Sequence, residues 1–286
     1  MHLAVVLAGF TGVFGKLISL NEGLLVWYRE VFSFIWLFLI LKLFKISTAI
    51  STREKFKIAQ VGILLTVHWL FFYGSIKYSN ISIGVVCYSL TSFFTAIFKP
   101  LISRQRYVAT ELLLSLLTLL GIILIFHFDA SYRLGIGLGV ISSAFAALYT
   151  IYNERLVKHY ESMVMNYYQM VGGAIALGLF LPLYLYFFPV TTFFPTTRDI
   201  IYLLLLSLFC TVGLYVLFAE TLKRISAFTV NLTFNLEPIY SIIMAFLFFD
   251  EGKQVNTSFY VGLSLVALSV ILQTQISIRQ HRRLAS

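Results

Sequence analysis

Ten apolar runs, each long enough to cross a bilayer, occupy almost the whole chain of 286 residues. A hydrocarbon core about 30 Å thick needs roughly 20 helical residues at about 1.5 Å each. Runs of that order lie near residues 2–20, 24–44, 57–77, 83–102, 109–128, 134–152, 163–188, 199–222, 228–249 and 257–277, and no stretch remains to fold in water as a separate domain. Inside lipid every backbone N–H and C=O must be satisfied within the chain, so helices and closed barrels are the alternatives. Barrel strands alternate polar and apolar side chains over segments of about ten residues. These runs do not alternate, and the expectation is an all-α membrane protein with ten transmembrane helices.

Hydrophobic residues make up 59% of the chain and charged residues 12%, and the mean hydropathy is +0.90, all far from soluble domains. The net charge of +9 raises nucleic acid as a partner, but the placement of the basic residues argues against it. With ten helices and both termini on one side, that side holds Lys42, Lys45, Arg53, Lys55, Lys57, Lys99, Arg104, Arg106, Arg155, Lys158, Lys223, Arg224, Arg279, Arg282 and Arg283. Lys16, Arg29, Lys77, Arg133, Arg198 and Lys253 fall on the other. The asymmetry orients both termini toward the cytoplasm, as in a multi-pass protein of a bacterial inner membrane. The lipid bilayer, not nucleic acid, is the partner this charge implies.

Cys87 and Cys210 fall inside apolar runs without CxxC or Cys/His ligand spacing, and read as small packing residues. The first run lacks a basic n-region, and its Gly9, Gly12 and Gly15 suit close helix packing better than a cleavage site, so it is expected to stay as the first helix. Only the basic stretch Arg279 to Ser286 reads as a frayed tail.

The chain also resembles itself. A shift of 146 places lays Trp69–Phe98 over Tyr215–Met244 without a gap, with Phe72/Phe218, Lys77/Lys223, Leu90/Leu236 and Ile97/Ile243 identical and most other pairs alike in kind. Tyr28-Arg29 and Tyr168-Gln169 correspond at the starts of the second and seventh runs. Two five-helix halves, residues 1–130 and 131–278, followed by a tail at 279–286, account for this. An odd number of helices per half makes the repeats inverted, an architecture of secondary transporters with a site near the membrane midplane.

Several stretches are similar to a known family. These are GFTGVFGKLI at Gly9–Ile18, WYRE at Trp27–Glu30, KYSNIS at Lys77–Ser82, and LKRISAFTVNLTFNLEPIYSIIMAFLFFDE at Leu222–Glu251. On these the chain resembles the drug/metabolite transporter superfamily in its ten-helix EamA branch. The resemblance covers nearly the whole chain. It implies a carrier of amino acids and other small metabolites, or of nucleotide-linked solutes. One departure is that Arg104-Gln105 stands where the second half has Asp250-Glu251.

Ionisable groups within membrane helices cost a few kcal/mol and are functional candidates by default. Glu237 lies about ten residues into the ninth run, roughly 14 Å deep, and Pro238 after it removes a backbone donor and marks a hinge. Asn231 and Asn235 share its side of a helix; Ser92, with Ser89 and Thr91, occupies the mirror positions. These groups either line a solute site or tie helices together. Lys16, Arg29 and Glu30 form an outer gate or charge pair, or else snorkel to the interface; Lys16 and Arg29 would equally suit a substrate carboxylate. Glu220 beside Lys223 reads as an interfacial ion pair. His68, Trp69, Phe72 and Tyr73 cluster on the third run, and Tyr88, Tyr149, Gln169 and Tyr215 extend an aromatic and polar wall suited to a flat or apolar solute. Tyr152 and Tyr168 suit an interfacial belt as well.

The five histidines are far apart, with no H-E-x-x-H and no metal spacing. GIGLG at Gly135–Gly139 is not a dinucleotide fingerprint, and a P-loop is missing. No catalytic set, metal or cofactor is therefore expected, and ATP-driven transport by this chain alone is disfavoured. The expectation is a secondary transporter that exports amino acids or related, aromatic solutes by alternating access. Proton coupling through Glu237 or His68 is left open, as are the direction of transport and the oligomeric state. The rivals are an exchanger of anionic or nucleotide-linked metabolites, and an intramembrane enzyme acting on lipid-linked substrates.

Overall fold

The computed structural model describes residues 1–126, 132–249 and 257–285. The acidic pair Asp250-Glu251, Lys253 and the boundary expected at 130/131 lie outside the described residues, as do the basic side chains at 279–283. Regular structure among the described residues is helical: α1 His2–Leu17, α2 Glu22–Leu43, α3 Thr52–Lys77, α4 Ile81–Tyr88, α5 Leu90–Ser103, α6 Ala109–Phe126, α7 Arg133–Leu156, α8 Ser162–Phe187, α9 Thr197–Ser207, a π-helical turn at Leu208–Gly213, α10 Leu214–Leu222, α11 Ala227–Phe234, α12 Glu237–Phe249 and α13 Thr257–Ala285. The backbone of α13 stays helical to Ala285, through the stretch expected to fray.

Local chemistry sets the helix starts. Asn21, Ser51, Asn80, Glu161, Thr196 and Ser226 each accept from a backbone N–H in the first turn of the following helix, which satisfies donors that a helix leaves orphaned. Ser51/Glu54 and Thr196/Asp199 complete reciprocal capping boxes. Among the described residues, seven helical stretches are long and apolar enough to cross a membrane: 22–43, 52–77, 81–103, 133–156, 162–187, 197–222 and 227–249. Three shorter apolar stretches, His2–Leu17, Ala109–Gly121 and Tyr260–Leu272, occupy the first, fifth and tenth runs. The first run ends early because Ile18 turns extended, so Ile18 to Leu20 form a connection rather than a last helical turn.

Three of the long stretches are interrupted. The α4/α5 break falls at Ser89, whose N–H turns to Val86 O at 3.0 Å. The α11/α12 break falls at Asn235 and Leu236, which bond back three residues to Leu232 and Thr233, both at 3.1 Å. Pro238 has no N–H to give to Phe234, which keeps that break open. The third interruption is the π turn, where Thr211 Oγ1 donates to Leu206 O, five residues back.

Packing inverts the order of a water-soluble protein. Leu179, Phe187, Phe194 and Leu247 are largely exposed, while Ser33, Ser75, Ser89, Thr95, Ser143 and Asn153 are fully buried. Such an apolar exterior suits lipid rather than water, and the chain is a multi-pass membrane protein. α3 packs on α7 and α8, α2 on α8, α6 on α13, α1 on α10 and α12, α5 on α7 and α11, and α4 on α12. At Gly62 the α3 backbone lies against the Gln169 carbonyl of α8, where any Cβ would collide.

Candidate functional site

Eight helices enclose one cavity. Ala8 and Thr11 come from α1, Arg29 from α2, Leu65, His68, Trp69 and Phe72 from α3, Tyr88 from α4, Ala146, Tyr149 and Thr150 from α7, Leu214, Tyr215 and Phe218 from α10, Phe234 from α11 and Glu237 from α12. Its volume, as space that a water centre can occupy, is about 30 Å³. That is room for about two waters.

Arg29 is 1% exposed and ties α2 to the eighth run. Its Nε donates to Thr211 Oγ1 at 2.8 Å, Nη1 to Tyr73 Oη at 2.7 Å and Nη2 to Cys210 O at 2.9 Å. Thr211 and Cys210 both belong to the π turn. The guanidinium lies 3.7 Å from the Trp69 ring centroid, a cation–π stack. Among the described residues the ion pairs are Lys99–Glu154 and Lys223–Glu220, so no carboxylate pairs with Arg29. A guanidinium has five N–H groups. Three are used in these bonds, and two remain.

Glu237 is 3% exposed and opens α12 just after the break. Among the described residues no group donates a hydrogen bond to its carboxylate, and the charge whose field reaches it is Arg29. Aromatic rings join these two poles. Trp69 Nε1 donates to Tyr215 Oη at 3.1 Å with the rings edge-on; Tyr149 contacts Tyr215 and Phe218; His68 contacts Phe72 and Tyr88. Ser142 holds His68 through Nδ1, with its Oγ at 2.8 Å and its carbonyl at 3.1 Å.

Of the expected site residues, Arg29, His68, Trp69, Tyr88, Tyr149, Tyr215 and Glu237 meet at this cavity. Others stand behind it. Tyr73 accepts from Arg29, and Gln169 accepts from Tyr149 Oη at 3.2 Å while donating to Asn153 Oδ1 at 2.7 Å. Asn231 is a helix tie rather than a lining group: it donates to Thr95 Oγ1 at 2.8 Å and accepts from Thr150 Oγ1 at 3.0 Å. Asn235 lies 3.2 Å from Ser92 Oγ. Its amide is satisfied when its oxygen accepts from Ser92 and its nitrogen donates to the Ser89 and Asn231 carbonyls. Pro238 lies in the first turn of α12, just after the break at Asn235 and Leu236. Thr11, Thr150, Phe218 and Phe234 line the cavity unanticipated, since neither a lone hydroxyl nor one more Phe stands out in a run this apolar.

The expected gate of Lys16, Arg29 and Glu30 does not form. Lys16 is exposed, Arg29 faces the cavity, and Glu30 faces α3 and α8, where Thr66 Oγ1 lies 2.5 Å away. At that end of the molecule a different set of residues ties the connections together. Asp199 accepts from Ser19 N and Oγ at 2.8 and 2.7 Å while capping its own helix through Thr196. Lys77 donates to the Ile18 and Leu20 carbonyls, and Tyr184 Oη donates to Glu22 at 2.5 Å. In Asp199→Ala the connection at Ile18 to Leu20 should loosen. A cysteine placed at Leu20, buried here, should then react with a polar maleimide much faster than in the parent protein. An unchanged rate would dismiss the clasp.

Among the described residues no three His, Cys, Asp or Glu side chains converge to hold a metal. The profile of the family described as EamA-like transporter family matches residues 1–127 and again 133–274. An uncharacterized transporter of Haemophilus influenzae is 24% identical over 88% of this chain and 85% of its own length. GDP-fucose transporter 1 of Dictyostelium discoideum is 24% identical over 92% of this chain and 77% of its own. A protein crystal structure shares the fold at a TM-score of 0.72 and 12% identity, covering 96% of this chain and 95% of the other. The chain belongs to the EamA-like transporter family and is a multi-pass membrane transporter, not an enzyme.

Proposed function

We propose that the protein is a ten-span carrier of two inverted five-helix halves, residues 1–130 and 131–278, in a bacterial inner membrane with both termini cytoplasmic. It exports a zwitterionic metabolite, most of all an amino acid with an aromatic side chain, by alternating access. Support for the halves comes from which helices meet. Elements at equivalent places pack together: α2 with α8, α4 and α5 with α12 and α11, and α6 with α13. Trp69 touches Tyr215, its counterpart 146 residues on, and the Ser89 break meets its counterpart at Asn235. Equivalent parts meet in this way beside a two-fold axis, and the doubled family match agrees with it.

The observation that carries the solute class is the pairing of Arg29 and Glu237 on one aromatic cavity. The free N–H groups of Arg29 suit a carboxylate, the unpaired carboxylate of Glu237 suits an ammonium, and the rings between suit an apolar side chain. Counterflow into proteoliposomes tests this with phenylalanine, phenethylamine and 3-phenylpropionate, which share the ring and differ in their charges. Phenylalanine should show saturable exchange and the two single-charge analogues should not. Equal exchange of all three, or none by phenylalanine, would refute the reading. A second reading, carriage of nucleotide-linked solutes, is favoured by the likeness to a GDP-fucose transporter. GDP-fucose in the same assay distinguishes it.

A further inference from the structure

Glu30 is the buried carboxyl that this site does not use. It is 1% exposed and lies where α2, α3 and α8 meet, on the seam between the two halves. Space for it is left by Gly173 of α8, where an added Cβ would strike both Glu30 Oε1 and Thr66 Oγ1. No cation lies within ion-pair range among the described residues. The neighbouring Arg29 is the charge whose field reaches it, and its guanidinium is engaged on the other side by Thr211, Tyr73 and Cys210. From the elements packed against it, α3 presents Thr66 and α8 presents Gly173, neither of which titrates.

Thr66 Oγ1 lies 2.5 Å from Glu30 Oε1 and 3.1 Å from Gly62 O, and its single hydrogen serves one of them. If it serves Glu30, a carboxylate there has that one donor; if it serves Gly62, a neutral carboxyl donates to Thr66 in its turn. Glu30 Oε2 has no partner; that is tolerable for the carbonyl oxygen of a neutral acid and expensive for a buried anion.

We propose that Glu30 is a proton-binding site in the seam between the halves. It holds a neutral carboxylic acid in this conformation and passes the proton to water when the seam opens, so that proton binding is linked to the transport cycle. The step is a simple exchange: the Glu30 O–H bond breaks, water takes the proton as hydronium, and the carboxylate stays behind hydrated. Each protonation then favours the packed seam, and each opening of the seam favours release. The inference rests on the proposed movement of the halves and not on the choice of solute.

Infrared spectroscopy of the full chain in liposomes at neutral pH tests the first part. The carbonyl stretch of a protonated carboxyl should be present in the parent protein and in Glu237→Gln, absent when Glu30→Gln is added to Glu237→Gln, and shifted when Thr66→Val is added instead, which removes the hydrogen-bond partner. A Glu237→Gln spectrum without that band, or a band that survives Glu30→Gln in the Glu237→Gln background, overturns the proposal whatever solute is carried. Thr66→Val gives the assignment independently if Glu30→Gln does not fold. Phenylalanine flux tests the second part: Glu30→Gln, a permanent mimic of the protonated acid, should keep counterflow and lose uphill accumulation driven by a pH gradient. Retained gradient-driven accumulation would reduce Glu30 to a packing role. If the parent protein moves no phenylalanine while the Glu30 band is present, the amino-acid reading fails and the proton site stands.

Discussion

Arg29→Gln is expected to abolish saturable phenylalanine exchange and to lower the melting temperature of the purified protein substantially. Three acceptors, Thr211 Oγ1, Tyr73 Oη and Cys210 O, converge on the guanidinium, and the face of Trp69 covers it. Hydrogen bonds to a charged group contribute about 1.5–3 kcal/mol each. An amide reaches at most part of this set, so a loss of about 3–5 kcal/mol is expected, comparable to breaking a buried charged network. Arg29→Lys keeps the charge but replaces the planar fork with a single ammonium. It should fold better than Arg29→Gln and still bind the substrate carboxylate poorly. Thermal melts together with counterflow separate the two effects. Parent-like exchange by Arg29→Gln would remove the cationic pole from the site.

Glu237→Gln should do the reverse: little harm to folding and a large change in selectivity. Its carboxylate takes no protein hydrogen bond among the described residues, so neutralising it breaks no internal partnership and removes the cost of a buried charge. Loss of the contact to a substrate ammonium is expected to weaken phenylalanine by about 1.5–3 kcal/mol, roughly 10- to 150-fold. The same change should admit 3-phenylpropionate, which lacks the ammonium. The ratio of the two solutes in counterflow is the measurement. An unaltered ratio would show that Glu237 does not read the amine.

Much of this was legible in the sequence, and the reasons differ by element. Length and apolarity located the helical runs, because the bilayer imposes both on a crossing segment. Pro238 announced its break through a missing donor, whereas the Ser89 break carries no such mark and the π turn at Leu208–Gly213 reads as ordinary helix. Arg29 and Glu237 stood out because charge is scarce within the runs. The roles of Asn231 and Asn235 did not, since a lone amide serves equally to line a site or to tie helices, and only the positions of Thr95, Thr150 and Ser92 decide. Asp199 was passed over because Ser19, its partner, lies 180 residues away along the chain.

The interruptions at Ser89 and Asn235 differ in their reversibility. Around Ser89 every residue keeps its amide hydrogen, so α4 and α5 have the donors to fuse into one straight rod by an ordinary rearrangement of backbone bonds. Around Asn235 a straightened rod would lack the backbone bond that Pro238 cannot donate, a loss that α5 and α8 already bear at Pro100 and Pro182. Straightening would therefore cost a backbone bond in one arm and none in the other.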